Sequence, residues 1–79
     1  MNIKYNKQAK KYLDRLPKNT AKKIITAINK LPKDGDIRPL AGFNNAYRLR
    51  TGANRVIWEM DNLNIYIRKI APRGQVYKK

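Results

Sequence analysis

Apolar and polar residues change their period along the chain, and each change predicts an element. Asn2-Ile-Lys-Tyr5 alternates, which predicts a short first strand with Ile3 and Tyr5 turned inward. Asn6 is a suitable helix N-cap. After it Ala9, Tyr12, Leu13 and Leu16 recur at the spacing of one helical stripe. Pro17 closes this helix and fits the first turn of the next. There Ala21, Ile24, Ile25, Ile28 and Leu31 repeat the spacing, with Lys18, Lys22, Lys23 and Lys30 on the outside. Together the two predict a helical hairpin. Pro32-Lys-Asp-Gly-Asp36 stops it, and Ile37–Asn45 reads as an irregular connection that tucks Leu40 and Phe43 under the edge of a sheet.

From Ala46 the period becomes two. Thr51-Gly-Ala-Asn54 supplies a turn. Closing the chain there sets Arg50 opposite Arg55, Leu49 opposite Val56, Arg48 opposite Ile57 and Tyr47 opposite Trp58. Directly opposed residues share a face. One face therefore carries Tyr47, Leu49, Val56, Trp58 and Met60, the other Arg48, Arg50, Arg55, Ile57 and Glu59. A second turn near Asp61-Asn62 adds Ile65 and Ile67 to the apolar face, and Tyr66 and Arg68 to the arginine face. The helical stripes need an apolar sheet face to cover, and this one is available. The expected fold is α+β: a short N-terminal strand, a helical hairpin, then a three-stranded antiparallel meander forming one sheet, in the order β-αα-βββ, with residues 1–79 as one domain.

Charge sharpens this picture. The chain has 19 Lys plus Arg against five acids, a formal net charge of +14. Like charges opposed across strands are destabilising, so packing gives no reason to gather four arginines on one face, whereas a polyanionic ligand does. Histidine and cysteine are absent, which removes imidazole acid–base chemistry, thiol nucleophiles and thiolate metal sites. No metal or cofactor is expected. No apolar run is long enough to cross a membrane and no signal-peptide core is evident, so the expectation is a cytoplasmic protein.

The ordered set of Leu13-x-x-Leu16-Pro17, Leu40-Ala-Gly-Phe43, Tyr47-Arg-Leu-Arg50, Asn54-Arg-Val-Ile-Trp-Glu59 and Arg73-x-x-x-Tyr77 resembles the RelE/ParE superfamily of toxins from type II toxin–antitoxin systems over nearly the whole chain. The resemblance implies a ribosome-dependent endoribonuclease that cuts messenger RNA in the decoding site against 16S rRNA. It also implies inhibition by a cognate acidic antitoxin, with a monomeric free toxin that forms a hetero-oligomer with that partner. The family's basic strand pair matches Arg48 and Arg50, its next-strand arginine matches Arg55, and its C-terminal arginine and tyrosine match Arg73 and Tyr77. Where RelE has lysines this chain has Arg48 and Arg50, and the histidine common before the terminal loop is replaced by Pro72.

The residues suit such chemistry. Attack of a 2′-hydroxyl on the adjacent phosphorus needs a base, neutralisation of the phosphorane and a proton for the leaving oxygen. Tyr77 is the candidate base, since neighbouring cations favour a phenolate, with Arg48 and Arg50 assisting. Arg55 and Arg73 would clamp the phosphate. Glu59 is a competing base, or a salt-bridge partner that relieves arginine repulsion. Tyr66, Arg68, Lys69 and Lys78 are the candidate RNA contacts, while Trp58 and Tyr47 read as core aromatics. Two other functions fit the same residues: a ParE-like toxin that inhibits DNA gyrase without cutting RNA, and a basic nucleic-acid-binding module.

Overall fold

The computed structural model describes residues 2–73. The elements run β1 (Asn2–Tyr5), α1 (Lys7–Arg15), α2 (Lys18–Asn29), β2 (Asp36–Pro39), β3 (Ala46–Thr51), β4 (Asn54–Met60) and β5 (Asn64–Pro72). They build one sheet in the order β1-β5-β4-β3-β2. The meander is antiparallel throughout, and β1 adds to β5 in parallel. The α+β order expected from the sequence holds.

Asn6 caps α1 as its position suggested, its side-chain oxygen accepting from the Ala9 N–H at 2.9 Å. Pro17 stands one residue before α2, as its N-cap. Ala9 and Leu13 of α1 and Ile24 and Ile28 of α2 are buried against Leu49, Val56, Trp58, Ile65, Ile67 and Ile70 of the sheet. Each large apolar side chain removed from water in this way contributes roughly 1.5–3 kcal/mol. Tyr47 and Trp58, directly opposed in β3 and β4, stack with ring centroids 4.7 Å apart.

Three details depart from the expectation. The segment read as an irregular connection contains β2, paired with β3 so that Ile37 meets Leu49 and Arg38 meets Arg48. Its alternation is real but only four residues long, and Pro39 suits an edge strand. Gly35 leads into it at φ +123°, where an added Cβ would lie 2.8 Å from the Leu49 side chain. Phe43 does not tuck under the sheet: it is 67% exposed, carried outward by a turn with Gly42 at φ +81°, while Leu40 stays half-buried. Finally, β5 is bulged. Trp58 faces Ile67 but Ile57 faces Lys69, leaving Arg68 without an opposite number. The bulge shifts the parity of the strand, so Ile70 rejoins Ile65 and Ile67 in the core.

The parallel ladder stops at Tyr5, and α1 takes over the free edge of β5. The Asn6 amide donates to the Arg68 carbonyl. Gln8 donates to the Ile70 carbonyl at 3.0 Å and accepts from the Ile70 N–H at 3.1 Å. Side-chain amides thus satisfy backbone groups that a longer β1 would have met.

Candidate functional site

The face away from the helices is laid out in rows by the strand register. Nearest the β3–β4 turn, Asp36, Arg50, Arg55 and Ala71 lie side by side across four strands. The next row is Arg38, Arg48, Ile57 and Lys69. The third is Ala46, Glu59, Tyr66 and Lys4. The arginine pairing read from the sequence, Arg50 against Arg55, is the observed one. Arg73 follows β5 at the same end as the first row, its backbone N–H donating to the Ala53 carbonyl at 2.8 Å.

These cations differ in setting. Arg48 is buried, only 8% exposed, and its guanidinium reaches Asp36 at 3.5 Å. It forms part of the floor of the face, with Arg38 directly opposite. Arg50 and Arg55 are half-buried and Arg73 is exposed. Lys69 is half-buried beside Ile57. Tyr77 and Lys78 lie outside the described residues.

At the far end Glu59 is engaged. Its carboxylate meets the Arg68 guanidinium at 3.2 Å, which favours the salt-bridge role over that of a base. Arg68 also lies over the Tyr66 ring, 5.1 Å from its centroid. The Tyr66 hydroxyl donates to Asp61 at 2.9 Å and accepts from the Asn64 amide at 3.2 Å. The backbone N–H groups of Leu63 and Asn64, the Tyr66 hydroxyl and the charge of Lys4 together hold the Asp61 carboxyl below its ordinary range. Burial pushes Tyr5 and Tyr12 up, on the helix side of the sheet.

The sequence pattern does not place Arg38, Asp36 and Lys4 on this face, because β2 is too short to stand out as a strand and the alternation of β1 names no partner. The signal for β2 was the inward Ile37 between two charged residues. Among the described residues no group of His, Cys, Asp and Glu could hold a metal ion, and no helix is long and apolar enough to cross a membrane.

The fold has close structural likenesses. The RelB–RelE antitoxin–toxin complex from Methanococcus jannaschii matches at 26% identity and a TM-score of 0.77, covering 94% of each chain. The archaeal RelE–RelB complex from Pyrococcus horikoshii matches at 28% identity and a TM-score of 0.77, covering 94% of this chain and 96% of that one. A YoeB dimer from Staphylococcus aureus shares the fold at 22% identity and a TM-score of 0.71, over 87% and 92% of the two chains. A search of curated proteins returned no match. The family model for the ParE toxin of the type II toxin–antitoxin system parDE matches residues 3–77. With nearly the whole sequence inside that match, the chain belongs to the ParE toxin family and is a toxin of a type II toxin–antitoxin system.

Proposed function

We propose that this toxin is an endoribonuclease that cuts messenger RNA in the decoding site of the ribosome and is silenced by an acidic antitoxin. The observation that carries the proposal is the row in which Arg50 and Arg55 are directly opposed, with Arg73 tied to the turn beside them. Their directly opposed backbone positions bring two arginines to neighbouring strands of one face, where both can reach a shared anion. A phosphodiester is such an anion, and arginine grips it with two parallel N–H donors. The RelE complexes at 26% and 28% identity support the same reading.

In the proposed reaction the 2′-oxygen bonds to phosphorus as the bond from phosphorus to the 5′-oxygen breaks. A 2′,3′-cyclic phosphate and a 5′-hydroxyl remain. Tyr77 takes the 2′-hydroxyl proton, and water supplies one to the leaving oxygen. Arg55 and Arg73 clamp the phosphate, and Arg50 adds field from the same row. Arg48, buried and paired with Asp36, braces the floor beneath them, its charge largely offset by that carboxylate. Tyr66, Arg68, Lys69 and Lys78 contact the flanking RNA. With a net charge of +14, an acidic antitoxin would associate quickly and with strong salt dependence.

Induced expression with mapping of transcript 5′ ends tests the proposal. The wild type should generate new ends, and Arg55→Ala should slow their appearance about a hundredfold, the usual cost of losing one preorganised charge donor. Tyr77→Phe should do likewise. The match to the ParE family model favours a second reading, inhibition of DNA gyrase. Growth arrest with DNA-damage signalling and no new transcript ends would establish that alternative.

A further inference from the structure

Acids are scarce in this chain, five in all, yet two of them serve a single aromatic residue and its neighbour. Asp61 is itself fixed, accepting backbone N–H bonds from Leu63 at 2.9 Å and Asn64 at 2.8 Å. Its other oxygen accepts a hydrogen bond from the Tyr66 hydroxyl. Glu59 holds Arg68, which lies over the Tyr66 ring. None of these contacts packs the core; the Arg68 side chain is 48% exposed and that of Glu59 44%. The remaining strand aromatics, Tyr5, Tyr47 and Trp58, lie on the helix side of the sheet and pack in or against the core. Tyr66 is the strand aromatic on the cationic face among the described residues.

We infer that Tyr66 and Arg68 form a stacking plate for a nucleobase of single-stranded RNA, with Asp61 and Glu59 as its positioning residues. The identity of the polymer rests on the ribonuclease reading above. Unpaired bases stack on aromatic rings and on guanidinium planes. The Arg68 guanidinium lies over the Tyr66 ring, so a base joining the stack would lie on the outer face of the guanidinium, with the ring supporting it from below. Pairing with Glu59 neutralises Arg68 and occupies one edge of its donor fork, so its flat surface is the part left for a ligand. It is thus a poor phosphate grip and a good plate. Glu59 lies four residues along β4 from Arg55, roughly 13 Å at the strand rise. A single strand crossing the face from the arginine row would reach the plate within a few nucleotides.

The test separates base from backbone. Binding of a 2′-O-methyl oligouridine, which cannot undergo 2′-attack, is compared by fluorescence anisotropy with an equally long 2′-O-methyl strand lacking every base. Wild type should prefer the strand with bases about tenfold, the scale of one stacked base. Tyr66→Ala and Arg68→Ala should each bring the ratio close to one, while Tyr66→Phe, which keeps the ring, should retain more of it. Glu59→Gln and Asp61→Asn should lower the ratio in part. Arg50→Ala should weaken both strands alike and leave the ratio unchanged. A merely structural role for the cluster would lower stability without moving the ratio. A wild-type ratio near one, or an unaltered ratio in Tyr66→Ala, overturns the plate. RNA cutting without a base preference sinks the plate alone, and base preference without cutting sinks the ribonuclease reading alone.

Discussion

Arg48 and Asp61 show how far the setting of a single residue departs from what its place in the sequence pattern implies. Arg48 was legible as a member of the arginine face, and its parity holds, yet its burial was not. Its carboxylate partner sits on β2, a strand too short to declare itself. Asp61 read only as a turn residue, because hydrogen bonds to a hydroxyl five residues away leave no period in the sequence. Its consequence is a pH dependence. The folded pKa lies below the ordinary value of 3.8, so folding favours the ionised form. That stabilisation is complete above about pH 4 and fades as the pH falls through the depressed folded value. Asp61→Asn should therefore flatten the acid limb of the stability curve below about pH 4 in urea titrations, while leaving the slope at higher pH unchanged.

At the scale of elements, the two helices and the β3–β4 register follow directly from spacing, since each buries one uninterrupted stripe. What escaped were features set by contact rather than period: the bulge in β5, the outward turn at Phe43, and the covering of β5 by α1. The last is testable. Gln8→Ala removes both side-chain bonds to Ile70 and leaves two backbone groups without their partners. The expected cost is about 1–3 kcal/mol. Hydrogen exchange should locate it at the Ile70 amide, with the central β3–β4 amides affected only through global stability. Asn6 and Gln8 also blunt one side of the sheet against strand addition, the problem any open edge presents.

For the whole molecule, the net charge of +14 opposes compaction. Raising ionic strength from about 0.05 M to about 0.5 M shortens the screening length. It should raise the thermal midpoint by several degrees in calorimetry, the reverse of a fold held by surface ion pairs. A polyanion should do the same at far lower concentration by binding the folded form. The charge that disfavours folding is the charge an acidic or polyanionic partner would offset, and the composition alone carries that expectation. The bulge at Arg68 ties this balance to chain length. A regular strand has room for one outward residue between Ile67 and Ile70; this one has two, Arg68 and Lys69. Excising Lys69 would restore strict alternation and keep all three isoleucines inside. A one-residue deletion within the regular run from Ile65 to Ile67 would instead turn later side chains over. The Lys69 deletion should still fold, with a cooperative thermal transition, and, on the ribonuclease proposal, bind RNA with a salt slope shallower by about one. The strand thus carries a spare residue, one whose removal the interior would not register and the surface would.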